Sequence, residues 1–98
     1  MSEEEQATAI GRAIQTAMAA KKLMLSLAAE IDRAAEAYKI AHEALRQFLA
    51  GSPGGRDIYK AISALPDPEK LRILIREYEE TASRHAELAA RAEQLSRL

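Results

Sequence analysis

The chain has 98 residues, enough for one domain, and a formal net charge of −1 from 14 Lys and Arg against 15 Asp and Glu. Acids and bases are interspersed, which excludes the basic patch of a nucleic-acid surface and the charge block of a solvating tail. There is no cysteine, hence no disulfide, no thiol nucleophile and no cysteine-based metal site.

The N-terminus is acidic, without an apolar run behind a basic start, so no targeting signal is expected. No uncharged run approaches the roughly 20 residues of a membrane span. A soluble protein without a membrane partner is therefore expected, and no compartment is assigned.

The first predicted element spans residues 2 to 50. Ser2 and Glu5 have the spacing of a capping box, and Glu3, Glu4 and Glu5 sit where the helix dipole favours anions. No proline precedes Pro53, and the one earlier glycine, Gly11, costs about 1 kcal/mol relative to alanine without stopping a helix. Gly51 is placed to end it as a C′ residue, with Pro53 following.

Apolar residues recur along this helix every seven places: Ile10, Ala17, Met24, Ile31, Tyr38, Leu45. Three places on lie Ala13, Ala20, Leu27, Ala34, Ala41 and Phe48, and four places on lie Ile14, Lys21, Ala28, Ala35, His42 and Leu49. Together the three rows predict one broad stripe facing a neighbour. The stripe alternates bulky residues with alanine, and Leu23 and Leu25 widen it, which suggests contact on more than one side.

Gly51-Ser52-Pro53-Gly54-Gly55 is the main breaker cluster, readable as a flexible loop or as an N-cap serine with proline at N1. A short helix is expected over residues 56 to 65, with Ile58, Tyr59, Ile62 and Leu65 covering the end of a hairpin. Pro66 stops it, and Asp67 with Pro68 starts a last helix over residues 68 to 97. Its stripe is Leu71, Leu74, Ile75, Tyr78, Thr81, Ala82, His85, Leu88, Ala89, Ala92 and Leu95. Glu80–Arg84, Glu87–Arg91 and Glu93–Arg97 are i,i+4 pairs on a solvated outer face.

Valine, asparagine, cysteine and tryptophan are missing altogether, while alanine, leucine, glutamate, arginine and lysine dominate. With the Ser2–Glu5 cap and the Leu65-Pro66-Asp67-Pro68-Glu69-Lys70 helix start, the whole chain resembles a computationally designed (de novo) helical bundle protein. That resemblance implies a structural, self-assembling role. Met18, Met24 and Gln15 also suit a natural bacterial helical-hairpin interaction protein.

At about 1.5 Å per residue the first helix is about 72 Å long and the last about 45 Å. With flush hairpin ends, residues 2 to 18 would overhang, leaving Ile10, Ile14 and Met18 wet, although burying such a side chain is worth about 1.5–3 kcal/mol. Self-association is the expected solution, with a twofold dimer favoured. A break near Gly11 or Lys21-Lys22, folding the chain into its own four-helix bundle, is the competing arrangement, although no turn residues occur there.

No catalytic signature is present and no cofactor is expected. His42 and His85 fall on the predicted stripes, and histidine ligates metals and haem. In a flush hairpin the two stand about 15 Å apart along the axis and cannot share an ion, and no Glu-x-x-His motif marks a di-metal site. Tyr38, Tyr78 and Thr81, with the two histidines, form an alternative small-molecule, metal or haem pocket between helices. Each is otherwise a core or boundary residue with a local partner. Lys21, beside Met18, Met24 and Leu25, either acts as a desolvated amine nucleophile or snorkels to water.

Arg56-Asp57-Ile58 resembles the start of the middle helix of the all-helical chorismate mutases, which share the long–short–long order and are intertwined dimers. Lys60 and Ala61 stand where that family has an Arg-Glu pair, and the first helix lacks its spaced cations. That activity is not carried over. The reading is an all-α protein made of a long helix, a short capping helix and a long helix. These form an antiparallel hairpin that assembles into an oligomeric bundle without catalysis.

Overall fold

A computed structural model describes residues 2–97. The described residues are all-α: a long helix α1 (Glu3–Leu49), a 3-10 turn (Pro53–Asp57), a short helix α2 (Ile58–Ser63) and a long helix α3 (Pro68–Arg97). α1 and α3 pack antiparallel. α1 runs unbroken past Gly11 and Lys21-Lys22, so the four-helix alternative does not form.

The predicted punctuation is present. The Glu5 amide donates to Ser2 Oγ at 3.1 Å, and the Gln6 amide to the Ser2 carbonyl at 3.0 Å. At the far end Gly51 has φ 71°, a left-handed conformation that costs a side-chain-bearing residue roughly 1–2 kcal/mol. The Ser52 amide reaches back to the Gln47 carbonyl and the Gly51 amide to the Phe48 carbonyl, the paired bonds of a Schellman stop. Ser52 is extended with Pro53 at N1, so the breaker cluster is an ordered helix start and not a loose loop. Asp67 Oδ1 accepts from the Glu69 amide at 3.1 Å and starts α3. Of the three predicted outer-face ion pairs, Glu93–Arg97 is formed, and Glu69–Arg72 is a further one.

The chain divides into two compact units. The first joins residues up to Ala28 with those from Arg76 on, and the second runs from Ala29 to Ile75. In the first unit the start of α1 lies beside the end of α3. The Gln6 side-chain amide donates to the Leu95 carbonyl at 3.4 Å. Ala9, Ala13, Leu88 and Leu95 line one cleft between them. The α1 seam here is Ile10, Ala13, Ala17, Ala20, Met24 and Leu27, alternating steps of three and four, with Ala17, Ala20 and Leu27 buried. The α3 seam keeps the same steps through half-buried Tyr78, Thr81, His85, Leu88, Ala92 and Leu95. The expected bare overhang of residues 2 to 18 is therefore corrected. α3 reaches Gln6, and Ile10 is half-buried, while Ile14 and Met18 stay exposed.

In the second unit Ala34, Ala41, Ala44, Gly55 and Ile58 are buried. The 3-10 turn lies directly on the end of α1. A Cβ built on Gly55 would stand 2.5 Å from the Phe48 amide nitrogen and Cα, and one on Gly54 would overlap the Gln47 side chain. α2 presents Ile58, Ala61 and, beyond its end, Leu65, while Tyr59 and Ile62 are exposed. The expected cover of Ile58, Tyr59, Ile62 and Leu65 is corrected accordingly. The helical start at Ser52-Pro53 places the three-and-four-step set at 58, 61 and 65, not at 58, 59 and 62.

Two glycines separate close approach from mere tolerance. Gly55→Ala forces backbone apart where α1 meets the turn, and is expected to cost about 1–3 kcal/mol. Gly11→Ala meets nothing within 4 Å inside a helix and is expected to stabilise by up to about 1 kcal/mol. Urea unfolding followed by helicity checks both signs.

Candidate functional site

Just over half of the large apolar side chains among the described residues are exposed. None among the described residues is fully buried, and five of the seven buried apolar residues are alanines. Of thirteen exposed large apolar side chains, nine belong to α1: Ile14, Met18, Leu23, Leu25, Tyr38, Ile40, Leu45, Phe48 and Leu49. The chain exposes 7709 Å². A folded monomer of 10.8 kDa exposes about 5,500 Å² by the usual mass scaling. The excess is greater than the roughly 800 Å² one partner contributes to a standard interface.

These side chains are not scattered. In the first unit Ile14, Met18, Lys21 and Leu25 follow steps of four, three and four, all exposed. In the second, Ala35, Tyr38, His42, Leu45 and Leu49 follow four-and-three steps from half-buried Ile31, and all five are exposed. Such spacing keeps side chains on one helix face over many turns, as in a coiled-coil seam. The cause lies in how α1's buried face drifts. Its inner residues are 24, 27, 31 and 34, then 37, 41, 44 and 47, so the seam steps off Tyr38 and Leu45 as the 3-10 turn packs against Gln47 and Phe48. Of the predicted broad stripe, the first two rows are inside along most of their length. The third, Ile14, Lys21, Ala28, Ala35, His42 and Leu49, is outside except for half-buried Ala28.

The candidate ligand residues divide accordingly. Tyr78, Thr81 and His85 are half-buried on the α3 seam and belong to the first unit. Tyr38 and His42 are exposed on α1 and belong to the second. The expectation that His42 and Tyr38 face inward is corrected: Ala41 and Ala44 occupy the inner positions there. Lys21 is exposed. The clefts between helix segments are lined by other residues. One is bounded by Ala9, Arg12, Thr16 and Leu88, and another, of about 350 Å³, by Phe48, Pro53, Ile58 and Tyr59. Among the described residues no three His, Asp or Glu side chains gather as a metal cluster, and no helix is long and apolar enough to cross a membrane.

No protein-family model matches the chain, and no curated protein or solved structure matches it.

With His42 exposed in one unit and His85 half-buried in the other, a melt with and without zinc or haemin is expected to give the same midpoint. A rise in Tm with either, lost on His42→Ala or His85→Ala, would reveal a ligand of the folded state held by that histidine.

Proposed function

We propose that this chain is a structural, self-associating helical protein without catalytic activity, of the kind made by design, and that its assembly unit is a dimer of antiparallel helix pairs. The observation that carries this is the exposed apolar face of α1. Leu49 is 83% exposed, Met18 65%, Leu25 56% and Leu45 44%. Each is a side chain whose burial stabilises by about 1.5–3 kcal/mol. Solitary exposed leucines need no explanation, but a row of them at coiled-coil spacing does.

A helix is the natural occupant, because four-and-three spacing on one side accepts the same spacing on the other. A second copy supplies one without any further component, and closed twofold pairs are the commonest assemblies. The chemistry of the face favours packing over catalysis. Its polar members are Lys21, the Tyr38 phenol and His42, and Lys21 and His42 stand three heptads apart with Ala28 and Ala35 between them.

Sedimentation velocity at micromolar concentration is expected to give a dimer mass with full helicity. Leu45→Lys together with Leu49→Lys is expected to shift it to monomer while the helical spectrum persists. A wild-type chain that sediments as an intact helical monomer across that range would refute the reading.

A further inference from the structure

The exposed row in the second unit has an internal symmetry. Ile31, Ala35, Tyr38, His42, Leu45 and Leu49 step by four, three, four, three and four. That sequence of steps is the same from either end, and its centre is position 40. Ile31 with Leu49, Ala35 with Leu45, and Tyr38 with His42 stand at equal distances from it.

In an antiparallel coiled coil each layer pairs an a-type position of one helix with a d-type position of the other. A row that is its own reverse can therefore fill every layer against a copy of itself. Bulk alternates suitably: the large Leu45 meets the small Ala35, and Tyr38 meets His42. The intrachain seam beside the row is lined by buried Ala34 and Ala41, so a neighbouring helix can come close on that side.

Charge selects the direction. The flank of the row away from the intrachain seam carries Asp32, Lys39 and Arg46, all exposed. Antiparallel pairing about position 40 sets Asp32 of each copy beside Arg46 of the other. The two Lys39 side chains meet near the axis, each with Glu36 and Glu43 one turn away on its own helix. Parallel pairing in register would instead turn this flank toward the partner's opposite flank, the side of Ala34, Ala41 and Phe48, and leave Asp32 and Arg46 without each other.

We propose that a second copy of the chain docks antiparallel on this face, on a twofold axis beside position 40 of α1. The proposal rests on the self-association reading and adds its face, direction and register. Each subunit contributes the C-terminal part of its α1, and the layers are Ile31–Leu49, Ala35–Leu45 and Tyr38–His42.

Single cysteines report the register cleanly, because the chain has none of its own. Ala35→Cys and Leu45→Cys chains are oxidised separately and as a mixture, and each is sized after denaturation without reductant. In the proposed register two copies of position 35 lie about 15 Å apart along the axis, as do two copies of position 45. A disulfide needs Cα atoms within about 7 Å. The mixture is expected to yield a disulfide-linked dimer joining 35 to 45, and neither variant is expected to link to itself.

Charge exchange gives a second readout that leaves the core alone. D32R and R46D are each expected to weaken dimerisation by a factor of roughly 2 to 30, and D32R/R46D to restore it. Self-linking of the single variants would establish a parallel pair and overturn the proposal. A chain that sediments as a dimer but shows no 35–45 linkage and no charge rescue would also overturn it, while self-association by another face would stand. An intact monomer would remove both.

Discussion

Alanine at the helix seam is the constraint on which the rest depends. Ala17, Ala20, Ala34, Ala41 and Ala44 fill most of the buried positions of α1, with Leu27 the one larger exception. A methyl lets a neighbouring backbone come near the short end of the usual 8–10 Å interhelical range. The same methyl removes little apolar area from water, at about 25 cal/mol per Å². A seam of this kind fixes which face of α1 turns inward but contributes a thin core. The bulk that would ordinarily fill a core is displaced to the outside of the same helix, where Met18, Leu25, Leu45 and Leu49 sit.

The junction after α1 amplifies this. Gly51 reverses the chain in a left-handed conformation, and Gly55 lets the 3-10 turn lie on the Phe48 backbone. That contact draws the inner face of α1 toward Ala41, Ala44 and Gln47 and away from Tyr38 and Leu45. The two glycines thus act at a distance from themselves. By deciding which side of α1 is covered near its end, they decide which side is left for a partner.

Much of this is legible in residue order. The Ser2 cap, the Gly51 stop, the Asp67 cap and the continuity of α1 follow from local rules in which each residue acts on backbone a few places away. The face of α1 is only partly legible. Periodicity groups Ile10, Ala13 and Ile14 together because all lie within one arc of the wheel. One helical neighbour covers a narrower arc, so Ile10 and Ala13 turn in and Ile14 turns out. The register of α3 escapes because a flush hairpin takes Gly51 as the turn between the long helices. The stretch from Pro53 to Asp67 intervenes, and Leu95 meets Gln6. Gly54-Gly55 was the available signal: paired glycines mark close backbone approach as well as flexibility. The inward placement of Tyr38 failed because the heptad row that begins at Ile10 leaves the buried seam before the end of α1, and that of His42 because its own row, with Ile14, Lys21 and Ala35, lies outside the seam from the start.

What the chain does therefore turns on whether the outer face of α1 is dry in solution. Thermal unfolding across a hundredfold dilution measures this directly, because a folded state that exists as a pair loses stability by mass action as it is diluted. The melting midpoint is expected to fall steadily from about 100 µM to about 1 µM, following the dimer–monomer relation. A midpoint that stays constant over that range, with the helices intact throughout, would contradict the account.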